Sequence, residues 1–177
     1  MPEFQDIYIL YAASGGFALL LLAAAVNDAT RYTIPNFVSI GLVLLFLITA
    51  ILLPFETSWL SHFGAAILVF SVGLVVYGFK LLGAGDVKLI TAVSVWAGWE
   101  HLGFLLAYIA IAGGVLTVGL VVLRLVLFAT LIHAPVGTVS TVPRLLQNGE
   151  HIPYGVAIAS GALYLAFEEL PHLLAYL

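Results

Sequence analysis

The chain has 177 residues, 63% of them hydrophobic and 8% charged, with a formal charge of −4 and a mean hydropathy of +1.19. A soluble domain needs roughly three times that share of charge to cover its surface. A water-soluble enzyme or nucleic-acid-binding module is therefore excluded, and residues 1–177 read as one all-α, polytopic membrane domain. Cysteine is absent, which rules out disulfides, thiolate nucleophiles and Cys-ligated metal modules.

Apolar runs between polar breaks predict six transmembrane helices, the first over Ile7–Val26. The start, "MPEFQDIY", carries Glu3 and Asp6 and no basic residue. A signal peptide wants a basic start, so this run is expected to be a retained helix. The break "NDATRYTIPN" leaves Asp28 at the inner end of the first span and leads into a second over Phe37–Leu53. Pro disfavours helix just before it and is welcome in a first turn, so Pro35 and Asn36 are expected to shape the start of that helix. A third span, Trp59–Tyr77, follows "PFETS", and a fourth, Leu81–Trp99, opens with "LLGAGDVK". After "WEH" comes a fifth, Leu102–Leu123, and after a long break a sixth, Tyr154–Leu170. The break from Arg124 to Pro153 is rich in Pro, Gly, Ser and Thr and is expected to be mobile and to admit substrate. Its first part, "RLVLFATLIH", is too short to span and reads as an extension of the fifth helix or as a segment lying at the interface. No internal repeat is visible.

Six spans sort the charges. Arg31, Lys80, Lys88, Arg124 and Arg144 fall in or beside the odd-numbered connections, while Glu3, Asp6, Glu56, Glu100, Glu168 and Glu169 lie on the other side. The positive-inside rule then puts both termini outside and the odd connections in the cytoplasm.

Asp28 and Asp86 occupy helix ends at that same face although 58 residues separate them. Val87 to Trp99 spans only about 20 Å of helix, too little to cross about 30 Å of hydrocarbon. Gly83, Ala84, Gly85 and Asp86 are therefore expected below the headgroups in loosened helix that lines a wet cavity. An aspartate at that depth is a functional-site hypothesis. Two carboxylates held close together do not both ionise, so one keeps its proton, the other acts as base, and a water between them becomes the nucleophile. Glycines beside them admit a substrate backbone. The structural alternative is that Asp86 caps its helix and Asp28 pairs with Arg31. Lys88 reads as snorkelling to headgroups or as tuning a nearby carboxylate.

The remaining polar and aromatic residues carry weaker signals. No two of the five histidines share helical metal-site spacing, so neither a metal nor another cofactor is expected. Trp59, Tyr77, Trp96 and Trp99 fall near span ends, as interfacial aromatic belts do. Glu168 and Glu169 read as solvated, and Glu150 as a loop charge or as an attractor of basic substrate. Gly155, Ala159, Ser160 and Gly161 make a small-residue surface for close helix contact.

"GAGD" at Gly83–Asp86 resembles the GxGD signature of intramembrane aspartic proteases, and its "VKL" continuation resembles the prepilin peptidase branch. "DATRYTIPN" (28–36) is similar to that family's first-aspartate region, and "HIPYGVAIASGA" (151–162) to the segment opening its last helix. The resemblance spans nearly the whole chain and implies that Asp28 and Asp86 are the catalytic pair. It implies a substrate with a basic leader followed by an apolar helix, pilin-like or flagellin-like, cut after a glycine at the cytoplasmic edge of a prokaryotic inner membrane. It also implies site-shaping roles for Gly83, Gly85, Lys88, Pro35, Asn36, Pro153 and Gly155, with lipid and pilus-assembly or secretion machinery as partners. The bifunctional members carry paired CxxC motifs and methylate the new N-terminus; without Cys, this chain resembles the short peptidase-only members. The Tyr-Asp and Pro-Ala-Leu motifs of the presenilin branch are absent, since Asp28 follows Asn27.

Two other classes compete: a proton- or ion-coupled transporter, and a non-catalytic membrane subunit of a secretion complex. Transport calls for carboxylates near the midplane and repeated halves. A scaffold calls for aspartates that tolerate neutral substitution.

Overall fold

Five helices, α1 (Phe4–Arg31), α2 (Asn36–Leu52), α3 (Trp59–Gly78), α4 (Ala84–Leu131) and α5 (Tyr154–Tyr176), build the chain in a computed structural model that describes residues 4–53, 57–131 and 152–176. There is no strand among the described residues. Pro35 stands at the start of α2 in extended conformation, and the Val38 N–H bonds its carbonyl at 3.1 Å. Pro153 and Val156 repeat that bond at the start of α5 at 3.2 Å, so two Ile-Pro pairs each open a helix.

α4 breaks at Gly98, whose φ of 59° and ψ of −171° are open essentially to glycine alone. The break leaves carbonyls at the end of one arm and N–H groups at the start of the next without helical partners. α3 takes up two of them: Ser61 Oγ accepts the Trp99 N–H at 3.0 Å, and His62 Nδ1 donates to the Val95 carbonyl at 2.8 Å. The chain turns back on itself there. Val93 and Ala97 share one cavity with His101 and Leu105, while Leu82 and Ile90 share another with residues from Ile109 to Val118. The arms 84–97 and 99–131 are therefore an antiparallel hairpin. The helices, with α4 divided at Gly98, overlap the expected apolar stretches, but the fourth, Leu81–Trp99, starts ahead of α4 and runs across the break: the turn lies at Gly98, upstream of the expected Glu100–His101, because glycine alone tolerates the dihedrals required.

The second arm runs on as helix through Leu131, so Arg124–Leu131 extends it rather than lying apart as an interfacial segment. Expectations for His133, Arg144, Glu150 and His151, like those for Glu3 and Glu56, concern positions outside the described residues.

Close packing holds the rods together. Leu45 fills the space beside Gly16 and Leu20 that beside Gly41, which pairs α1 and α2 antiparallel. A Cβ at Gly161 would lie 2.6 Å from the Ile109 backbone, so α5 crosses the second arm of α4 at a contact only glycine permits. Leu21, Leu42, Leu89, Leu105 and Ile158 form the fully buried centre. The outside is apolar as well, with Leu60 84% and Phe167 77% exposed, as a lipid-facing surface requires. Gln5–Arg31, Trp59–Gly78 and the hairpin Ala84–Ala129 are each long and apolar enough to cross a membrane, and Asn36–Leu52 is a shorter apolar helix.

Two expectations change here. Trp96 is not an interfacial anchor: it packs between Phe17 and Phe46, with centroids at 4.8 and 5.7 Å, and its indole N–H bonds the Leu42 carbonyl at 2.9 Å. Glu168 and Glu169 are not simply solvated. Glu168 accepts from the Tyr108 hydroxyl at 2.5 Å and Glu169 meets His101 at 3.2 Å, tying α5 to the second arm at the end far from Asp28.

Candidate active site

The site is assembled at the end of the bundle where α1 and α3 finish and α2, α4 and α5 begin. Asp28 lies in the last turn of α1 and is only 6% exposed. The chain leaves that helix through Tyr32 at φ 54°, whose N–H caps the Asp28 carbonyl at 2.9 Å. A carboxylate at a helix C-terminus faces the negative end of the dipole, an arrangement that costs stability. The compensation comes from another helix: the Gly155 N–H, in the first turn of α5, donates to Asp28 Oδ2 at 2.6 Å. Asp28 thus caps α5 across 127 residues of sequence. It does not pair with Arg31, the partner expected in the structural alternative.

Asp86 is the third residue of α4, and its Oδ2 accepts the Gly83 N–H at 3.1 Å, one half of a capping box. α3 ends on Lys80 at φ 59°, with the Lys80 N–H bonding the Tyr77 carbonyl at 2.8 Å and the Leu81 N–H the Val76 carbonyl at 3.3 Å. This Schellman turn brings the chain round to Gly83 within a few residues. The expected loosened helix is therefore confined to Phe79–Gly83, while Ala84, Gly85 and Asp86 already form the first turn of α4. Helix begins earlier than span length suggested because Asp86 itself caps it. The capping reading and the functional reading thus describe the same side chain.

Three glycines fix the approach of these segments. A Cβ at Gly83 would lie 2.8 Å from Asp86 Oδ2, and one at Gly155 would lie 2.8 Å from Asp28 Oδ2 and 2.9 Å from Ile34 Cδ1. A Cβ at Gly85 would lie 3.1 Å from Ile34 Cβ. Ile34 is thus a wedge between the two helix N-termini that hold the carboxylates.

Asp28 and Asp86 line one cavity of about 770 Å³ together with Tyr32, Tyr77, Lys80 and Arg124. A pair of carboxylates in a cavity that also holds two cations and two phenols can activate a water and steady a developing oxyanion.

A family model described as the type IV leader peptidase family matches residues 16–137, over half of the chain. The chain belongs to the type IV leader peptidase family. The match takes in both aspartates and the whole hairpin of α4; α5, with Gly155, lies beyond it. No curated protein and no solved structure matches.

Of the residues that family resemblance singles out, Asp28, Asp86, Gly83, Gly85 and Gly155 come together around the cavity. Pro35 and the buried Pro153 start the helices beside it. Lys88 and Asn36 do not join them. Lys88 Nζ donates to Asn36 Oδ1 at 3.0 Å, and both line a separate groove with Ser39 and Phe70. Two residues from Asp86, Lys88 projects from nearly the opposite side of the helix, so it does not tune that carboxylate. Sequence reasoning missed Ile34 as a wedge and assigned Lys80 and Arg124 only to topology. The repeated Ile-Pro pairs at 34–35 and 152–153 were the available signal for the first.

Proposed function

We propose that the chain is an aspartic endopeptidase that removes the basic leader of type IV prepilin-like or preflagellin-like precursors at the cytoplasmic face of the membrane. The observation that carries this reading is the convergence of Asp28 and Asp86, from distant helices, on one cavity at the bundle end in a member of a leader peptidase family. Two carboxylates so placed share one proton. The ionised member takes a proton from water, the water oxygen attacks the carbonyl carbon at the leader junction, and the protonated member donates to the carbonyl oxygen. Collapse of the tetrahedral intermediate breaks the C–N bond, and the proton taken from water passes to the leaving amine. Gly155 and Gly83 N–H groups hold each carboxylate by Oδ2 at a helix N-terminus, so the pair is positioned before substrate arrives.

The rest of the reading rests on the sequence. Six crossings put both termini outside and the cavity, with Lys80 and Arg124, on the cytoplasmic side. With no cysteine to build the paired CxxC region, the enzyme does not methylate the new N-terminus. The test is incubation of purified protein in lipid vesicles with a precursor carrying a basic leader, products being identified by mass. Cleavage at the leader junction, with no added methyl group, is the expected result. A folded wild-type protein that leaves every such precursor intact overturns the reading.

A further inference from the structure

A second groove lies beside the candidate active site. It has a volume of about 430 Å³, lies between the two arms of α4 and the start of α5, and shares two of its walls, Leu82 and Tyr154, with the cavity that holds Asp28 and Asp86. From there it follows the second arm from Val118 back to Ile109, about 13 Å at 1.5 Å per residue. Its floor is Ala110, Gly113, Gly114 and Thr117, positions that share one helix face. The Thr117 hydroxyl is returned to the Gly113 carbonyl at 2.7 Å, so it asks nothing of an occupant. A Cβ on Gly114 would meet nothing within 4 Å, and Val118 is 63% exposed, so the groove is open along its side.

We propose that this groove seats the first apolar turns of the substrate's own helix, immediately beyond the bond that is cut. The proposal rests on the leader-peptidase reading above and adds where the uncut part of the substrate lies. Three observations select this occupant. Among the described residues the lining is apolar apart from Tyr154 and Thr117, whose hydroxyl is already bonded, so what fills the groove must satisfy its own backbone, as a helix does. The groove runs for about 13 Å, about two and a half turns of helix at 5.4 Å per turn, which suits the first turns of a helix laid along it. The groove also borders the catalytic cavity, with Leu82 and Tyr154 lining both, so a helix lying in it brings its N-terminal extension to the edge of the site that holds the two carboxylates. Small residues on the floor let that helix approach closely. The peptide unwinds only where it passes Tyr154.

The test fills the groove without disturbing the bundle. Gly114→Trp projects into open space in the groove, while Gly119→Trp, on the same arm and also with nothing within 4 Å of its Cβ, projects elsewhere. Each variant is given two substrates: a full precursor with about twenty apolar residues after the leader, and a short peptide spanning the junction alone. For Gly114→Trp the expected result is a rise in KM of at least about tenfold on the full precursor, with the short peptide cut as by wild type; Gly119→Trp cuts both normally. Equal cleavage of the precursor by Gly114→Trp and wild type overturns the groove assignment, as does an equal loss on both substrates. A wild type that cuts neither overturns the leader-peptidase reading instead. A photoreactive residue at Val118 adds a readout independent of the short peptide. It should form adducts with the precursor's helix where one at the exposed, non-lining Val115 does not. Adducts with lipid alone at Val118 would make the occupant an acyl chain and overturn the proposal.

Discussion

Replacing Gly155 by alanine adds a single methyl group at the point where α5 meets α1. That methyl would stand 2.8 Å from Asp28 Oδ2, 3.0 Å from Asp28 Cβ and 2.9 Å from Ile34 Cδ1. Ordinary carbon contacts begin near 3.5 Å, so the site must open by about 0.5–0.7 Å. Ile34 Cδ1 is a side-chain end and can swing away, but Asp28 Cβ is fixed to the helix. Either α5 retreats or the carboxylate rotates, and the 2.6 Å bond from the Gly155 N–H is stretched or lost. Misplacing a reacting group by about 1 Å costs on the order of a hundredfold in rate. Overpacking of this kind costs about 1–3 kcal/mol of stability. We therefore expect Gly155→Ala to fold, with a lowered melting temperature, and to lose about a hundredfold in kcat on a leader-bearing precursor. Gly78→Ala is the matched control: Gly78 lines the same cavity, its Cβ would meet nothing within 4 Å, and kcat should stay within about twofold. A Gly155→Ala enzyme that cleaves at better than about half the wild-type kcat would show that the Gly155–Asp28 contact does not position the carboxylate.

Gly98→Ala places a side chain at φ 59°, with its Cβ 3.1 Å from Ser61 Oγ and 3.2 Å from His62 Nδ1. It should cost at least about 1–3 kcal/mol in denaturant unfolding from micelles, and a change under about 0.3 kcal/mol would contradict the account of the hairpin turn. Lys88→Met removes a cation that bonds Asn36 away from the catalytic cavity. Its kcat should remain within about threefold of wild type, and a hundredfold loss would put Lys88 into the chemistry.

The sequence made the apolar rods legible because about twenty consecutive apolar residues have little else to be. It also made the meeting of Asp28 and Asp86 legible, because alternating spans carry both to one face. What it hid depended on atoms brought together across the chain. Nothing local to Asp28 announces that its carboxylate caps α5, since the donor is 127 residues away. Trp96 looked like a belt residue by its place in the span, and only α1 and α2, packing on either side, make it an interior one. The turn at Gly98 was legible in principle as a glycine between apolar runs. The charged pair Glu100–His101 nearby was the louder signal and drew the boundary two residues too late. Lys88 misled for the converse reason: proximity to Asp86 in sequence suggested a shared site, whereas two steps along a helix turn a side chain by about 200°.

The central claim is that Asp28 and Asp86 act as one unit on one water, and a double-substitution cycle on precursor cleavage tests it most directly. Asp28→Asn and Asp86→Asn should each lower kcat by at least about a thousandfold, and the double variant should be no slower than the worse single one, because members of a catalytic unit are not additive. Retention of kcat within about tenfold by either folded variant, or losses that multiply in the double, would contradict it.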